Sequence, residues 1–216
     1  MKHRVVVAMS GGVDSSIAAA LLKRSGADVV AIALKLWPKE LCDETPRDKV
    51  CCSARDIADA RGVAEKLDIP FYAMDASQYF KKHVIDYFVD SYGQGQTPNP
   101  CIACNRHIKF GYLMDQMRTL EGAQLATGHY AGVRFVAETG RYAVTESLDL
   151  NKDQSYALFE LTQEQLKQVV FPLRDAQKSE VRQMAQELGL ADVAAKPDSQ
   201  EVCFVPEGGY REFIRP

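Results

Sequence analysis

Hydrophobic and polar positions alternate in blocks up to about residue 130. Arg4-Val5-Val6-Val7-Ala8-Met9 is a continuous apolar run, the pattern of a strand buried on both faces. Ser10-Gly11-Gly12 breaks it. Asp14-Ser15-Ser16 can then cap a helix whose apolar face is Ile17, Ala20, Leu21 and Leu22. Val29-Val30-Ala31-Ile32-Ala33-Leu34 reads as a second buried strand. The spacing of Ala54, Ile57, Ala58, Ala64 and Leu67 predicts a helix over 54–67, and residues 70–74 a third strand. Phe80, Val84, Tyr87 and Phe88 mark a helix ending near Gly93. A further helix is expected over 108–117 and a short strand over 124–127.

Repeated strand–helix order implies an α/β fold, a doubly wound parallel sheet with helices on both faces. After about residue 130 the texture changes. Residues 133–136 and 142–145 flank Glu138-Thr139-Gly140-Arg141 as a hairpin would, and 162–170 and 179–188 look helical. The expected organisation is one domain over 1–130 and a small hairpin-and-helix extension over 131–216. Residues 38–53 are polar, hold Pro38 and Pro46, lack periodicity, and are the expected mobile loop.

Composition narrows the class. The chain has 216 residues, of which 46% are apolar and 25% charged, and a net charge of −3. That excludes a disordered, collagenous or coiled-coil chain, and the charge argues against a nucleic-acid grip spread over the whole surface. No apolar run approaches the length of a membrane span, and the N-terminus enters a strand-like run without a signal peptide's apolar region, so a cytoplasmic location is expected. In a cytosolic chain of this size Cys42, Cys51, Cys52, Cys101, Cys104 and Cys203 point to catalytic, redox or metal chemistry rather than a disulfide frame. His3, His83 and His107 have no evident partners, and Trp37 reads as packing.

Ser10-Gly11-Gly12-Val13-Asp14-Ser15-Ser16 carries the clearest chemistry. It follows a buried strand and opens a helix, where glycines let backbone approach an anion and helix-terminal amides point at it. It lacks the Gly-Lys-Ser/Thr of a Walker A loop. It resembles the signature of the ATP-pyrophosphatase (PP-loop) superfamily, whose members cleave ATP between the α and β phosphates and adenylate a substrate oxygen.

Further stretches narrow the resemblance. They are Thr97-Pro98-Asn99-Pro100-Cys101-Ile102-Ala103-Cys104-Asn105 with Ile108-Lys109-Phe110; Ala126-Thr127-Gly128-His129-Tyr130; Asn151-Lys152-Asp153-Gln154-Ser155-Tyr156; and Asp198-Ser199-Gln200-Glu201-Val202-Cys203-Phe204. Together, and in this order, they resemble the tRNA-specific 2-thiouridylases of the bacterial MnmA family. The resemblance implies adenylation of O2 of uridine 34, then sulfur transfer to C2, with AMP and pyrophosphate released. It implies ATP at Ala8, Met9, Ser10, Gly11, Gly12, Val13, Asp14, Ser15, Leu34 and Gly128, with Asp14 a candidate Mg²⁺ ligand. Asn99, Pro100 and Cys101 would approach the target base, and Lys152, Asp153 and Gln154 would contact tRNA. Cys104 would be the nucleophile and Cys203 the persulfide carrier, charged by an upstream sulfur donor such as a cysteine desulfurase or a relay protein.

Thiolates are the reactive sulfur species, and thiol–disulfide chemistry suits such a pair. Some members of that family have Asp where this chain has Cys101. Cys101, Cys104 and Cys203 could therefore also hold three corners of a [4Fe–4S] cluster, leaving an iron open for hydrosulfide. Cys101 and Cys104 alone could be half a zinc site. His129, at a strand end, could touch nucleotide or stabilise a loop. Lys81, Lys82, Arg106, Lys109, Arg118 and Lys152 could form a basic patch or a solvated surface. The resemblance also implies a central domain and a C-terminal β-barrel beyond residue 216, which this chain is expected to lack. Amine transfer by another PP-loop enzyme has no need of the cysteines, and a mere sulfur carrier has no need of the phosphate loop.

Overall fold

The computed structural model describes residues 4–38, 54–198, 202–205 and 209–214. The expected loop over 38–53, apart from Pro38, lies outside the described residues, and so do Cys42, Cys51, Cys52 and His3.

Strand β1 (Arg4–Ala8) leads through Ser10-Gly11-Gly12 into α1 (Val13–Arg24), then β2 (Asp28–Lys35), α2 (Ala54–Lys66) and β3 (Phe71–Asp75). Next comes a helical stretch made of α3 (Ser77–Phe80), a wide π-helical segment (Lys81–Ile85) and α4 (Asp86–Gly93). A second one follows: α5 (Pro100–Ala103), a π-helical segment (Cys104–Tyr112) and α6 (Leu113–Thr119). β4 (Gln124–Ala126) precedes an antiparallel hairpin of β5 (Gly132–Val136) and β6 (Arg141–Thr145). A 3₁₀ turn (Ser155–Leu158), α7 (Gln163–Gln168), β7 (Val169–Val170), α8 (Lys178–Glu187), α9 (Ala191–Ala194) and α10 (Tyr210–Phe213) complete the described elements.

The main sheet is parallel, in the order β3-β2-β1-β4-β7, as the alternating pattern predicts. The chain runs outward from β1 through β2 to β3 and then resumes on the other side of β1. The order therefore reverses between β1 and β4, and in open α/β sheets the crevice at that reversal takes ligands.

Period-two alternation sends Val6, Val30, Ile32 and Leu34 to one face of the sheet, and Val5, Val7, Val29, Ala31 and Ala33 to the other. The first face is covered by Phe80, Val84, Phe88, Ile108 and Leu113 of the two helical stretches, together with Phe204. The second is covered by Ile17 of α1, Ala60 and Val63 of α2, and Val181 and Ala185 of α8. Trp37 packs into the first cluster, as expected for a lone Trp. Each fully buried Val, Ile or Phe contributes roughly 1.5–3 kcal/mol, so the sheet is held from both sides.

Three expectations are corrected. The cysteine-bearing helix begins at Pro100 rather than Ile108, because Asn99 Oδ1 accepts from the backbone N–H groups of Cys101 and Ile102 and Pro100 has the fixed φ of a first helical residue. Cys101 and Cys104 thus sit inside the helix start, not before it. The helix expected over 162–170 stops at Gln168, because Val169 and Val170 pair with Leu125 and Ala126 as a sheet edge. Ser15 and Ser16 do not cap α1: Gly12 holds the capping position, and both hydroxyls donate back to its carbonyl. Among the described residues no helix is long and apolar enough to cross a membrane.

Candidate functional site

The loop after β1 sits at the sheet's reversal point. Gly11 has φ +75°, which L side chains rarely adopt, and a Cβ there would overlap the Asp56 backbone carbonyl. The Ser15 hydroxyl lies 3.2 Å from the Ser10 backbone nitrogen and 3.3 Å from the Ser10 hydroxyl, closing the loop on itself. With no side-chain cap on α1, its first-turn N–H groups stay available to an anion, and the helix dipole favours negative charge there. Ser10 is exposed, whereas Met9, Val13 and Ser15 are buried and Ala8 is half-buried. Leu34 is also buried, packed in the sheet.

The loop after β4 lies alongside. Gly128 packs against Asp14 and Ser15. His129 is buried between Thr127 Oγ1 at 2.7 Å and Lys109 Nζ at 3.2 Å. Burial, with the Lys109 charge added, holds the imidazole well below its usual pKa, so it is neutral. Lys109 donates to Nε2, which places the ring proton on Nδ1, facing Thr127. This bond ties the cysteine-bearing helix to the strand end beside the phosphate loop.

A network of charge that no spacing foretells surrounds Asp14. Lys178 Nζ lies 2.7 and 2.8 Å from its two carboxylate oxygens, and Tyr130 donates to it at 3.0 Å. Burial, then the Asp14 charge, pushes the Tyr130 hydroxyl far above its usual pKa. Lys178 also reaches Asp198 at 2.9 Å, and Asp198 in turn pairs with Lys152 at 2.7 Å and Arg182 at 2.8 Å. Burial alone would raise the Asp198 pKa, but bonds from Lys152 and Lys178 bring it down to about 2. Lys196 bonds the Gly11 carbonyl at 3.0 Å, Asp56 at 2.8 Å and Asp59 at 2.6 Å. Lys178 and Lys196 escaped the sequence reading, which quoted Tyr130 in a motif but gave it no role. The one available signal was that a half-buried acid in the first turn of a helix needs a partner, and nothing says which of the many lysines supplies it.

Asn99, Pro100 and Cys101 stand together at the start of the helix, with Cys101 exposed. Cys104 opens the π-helical segment, a distortion that recurs at functional sites. Cys104 and Cys203 are half-buried and pack against the same core cluster, although 99 positions separate them (203 − 104). Phe204, edge-on to Phe80 and Phe88, anchors the Cys203 turn there.

Lys152, Asp153 and Gln154 make internal contacts. Lys152 bonds Asp198, Asp153 accepts from the Ser147 and Ser155 backbones and the Ser155 hydroxyl, and Gln154 accepts from Tyr130 N–H. Among the described residues no group of three or more His, Cys, Asp or Glu could hold a metal ion. Cys101 is exposed at the helix start, while Cys104 and Cys203 pack on the core.

The sequence profile of the family described as tRNA methyl transferase HUP domain matches residues 3–207. The chain is 51% identical over 214 residues to the tRNA-specific 2-thiouridylase MnmA of Heliobacterium modesticaldum, covering 99% of this chain and 55% of that relative. It is 52% identical over 210 residues to the protein of the same name from Moorella thermoacetica, covering 97% and 58%. The chain thus spans a little over half the length of the curated relatives it matches. Among solved structures, a 4-thiouridine synthetase in complex with RNA and ATP superimposes with a TM-score of 0.53 at 16% identity, covering 95% of this chain and 46% of that chain. NMN synthetase from Francisella tularensis does so with a TM-score of 0.51 at 18% identity, covering 96% and 69%. At such identities the likeness is one of fold.

Proposed function

The chain belongs to the tRNA methyl transferase HUP domain family, and from that premise we propose that it is the ATP-using catalytic part of a tRNA 2-thiouridylase. The observation that carries the reading is the pairing of an uncapped phosphate loop at the sheet's reversal point with two cysteines, Cys104 and Cys203, on one core cluster.

In this reading the amides of residues 10–14 bind the ATP phosphates and Ser10 donates its hydroxyl. Magnesium bound with a polyphosphate commonly uses a single carboxylate, a role Asp14 fits once Lys178 yields an oxygen. O2 of uridine 34 attacks the α-phosphate and pyrophosphate leaves, which turns a poor leaving group into AMP. A Cys203 persulfide, charged by a cysteine desulfurase or relay protein, attacks C2 with its terminal sulfur and expels AMP. The Cys104 thiolate then attacks the Cys203 sulfur. The S–S bond breaks, its electron pair stays on the transferred sulfur as the C2 thiocarbonyl, and a Cys104–Cys203 disulfide forms. An external thiol reduces that disulfide. Asn99, Pro100 and Cys101 meet the base, and Lys152, Asp153 and Gln154 contact the tRNA.

The test is release of AMP and pyrophosphate with and without tRNA carrying uridine 34, read beside 2-thiouridine by mass spectrometry. Release that depends on the tRNA, with Cys203→Ala abolishing 2-thiouridine while ATP binding persists, is the expected result. Release with ammonia in place of tRNA would overturn it in favour of amine transfer, and a methylated product in favour of methyl transfer. About four irons per chain with acid-labile sulfide, lost in Cys101→Ser, would replace the persulfide route with a cluster.

A further inference from the structure

The peptides of the phosphate loop are pinned one by one. The Ser10 N–H donates to the Ser15 hydroxyl at 3.2 Å, and the Gly12 carbonyl accepts from the Ser15 and Ser16 hydroxyls at 3.1 and 2.9 Å. Between these two anchors lies the Gly11–Gly12 peptide. Its carbonyl accepts from Lys196 Nζ at 3.0 Å, and the same ammonium pairs with Asp56 at 2.8 Å and Asp59 at 2.6 Å, both on α2. Burial works against the Lys196 charge, but bonds to the two carboxylates outweigh it and raise its pKa, so the donor is present at neutral pH.

A trans peptide carries its carbonyl and its N–H on opposite sides. Lys196 draws the Gly11 carbonyl toward α2 and thereby turns the Gly12 N–H away from it. Glycine on both sides leaves this peptide free to turn over, because only ψ of Gly11 and φ of Gly12 need change and neither residue has a Cβ to resist. Turned over, it would present a carbonyl oxygen where an N–H had stood. A phosphate accepts from an N–H and is repelled by a carbonyl.

We propose that Lys196 is a positioning residue: by holding the Gly11 carbonyl it keeps the Gly12 N–H aimed at the ATP polyphosphate. The inference rests on the ATP-binding reading above. Lys196 needs no contact with the nucleotide to act in this way. Gly12 has φ −94°, a value any residue adopts, and a Cβ there would meet nothing closer than the Ser10 hydroxyl at 3.6 Å. Alanine at position 12 therefore suits the peptide as it stands. A turned-over peptide would drive that alanine to positive φ, which L residues resist.

The test is a double-mutant cycle of ATP affinity, read by calorimetric titration of the 216-residue chain, with Lys196→Met made both in the parent and in Gly12→Ala. In the parent, Lys196→Met should weaken ATP binding about tenfold or more, as the peptide loses a bond to a charged donor. In the Gly12→Ala chain, where the alanine itself keeps the peptide from turning, the same substitution should cost about threefold or less. Lys196→Arg, which keeps a charged donor, should retain most of the affinity. Thermal unfolding should show every variant folded. An equal cost in both backgrounds would overturn the proposal, since Lys196 would then act through its charge or its own contact with the nucleotide. Unchanged affinity in Lys196→Met would also overturn it, and so would a Lys196→Met chain that does not fold, which would make the lysine a prop of the whole domain. A folded parent chain that binds no ATP would instead overturn the nucleotide reading itself.

Discussion

A Cβ on Gly128 would stand 2.7 Å from the backbone nitrogen of Ser15, so the loop after β4 and the first turn of α1 meet with no room between them. The obstructing atoms are backbone, which cannot swing away. Gly128→Ala should therefore push the two loops apart and weaken nucleotide binding at least tenfold. It should also cost about 1–3 kcal/mol of stability. Calorimetric titration with ATP and urea denaturation check both. An alanine variant that binds ATP like the parent would mean the loops can separate without penalty.

His129 sets a pH dependence. Its folded pKa lies below the ordinary 6.5 because burial and Lys109 disfavour the charged ring. The unfolded chain then binds more protons than the folded one below that value. Stability should fall as pH drops through about 6.5 and continue falling toward pH 5. His129→Gln should flatten that slope, although its stability at pH 8 should be lower. Thermal unfolding between pH 5 and 8 tests this, and equal slopes in both proteins would refute it.

Phe204 meets Phe80, Phe88 and Phe213 at ring separations of 5.8, 5.2 and 5.5 Å and is 2% exposed. Phe204→Ala should cost about 3–5 kcal/mol if the whole domain loses its contribution. Limited proteolysis should then cut next to residue 204 well before the sheet. Uniform proteolytic resistance would show that the other rings hold the segment without it.

Asp153 accepts from two backbone N–H groups and one hydroxyl. Asp153→Ala should lower stability by about 1.5–3 kcal/mol, the worth of bonds to a charged group, with no tRNA present. Urea denaturation measures it. Unchanged stability would return Asp153 to a purely RNA-facing role.

Much of this molecule follows from local chemistry. The Val5-Val6-Val7 run can only be a buried strand, Ser10-Gly11-Gly12 can only interrupt it, and the strand–helix alternation then leaves a doubly wound parallel sheet as the economical solution. The glycine turn after β1 stands out by its local pattern, whereas Cys101, Cys104 and Cys203 are singled out by the resemblance of the stretches that hold them. What tertiary structure decided was the partner of each charge. Asp14 and Lys178 are 164 positions apart, Lys196 and Asp56 are 140, and no periodicity links them. The same holds for Val169 and Val170, whose place at the sheet edge depends on β4 offering unpaired backbone groups. Local pattern reports which face of an element is apolar. Which side chains meet across the crevice depends on how the whole sheet closes the distance between them, and that is a property of packing rather than of any segment.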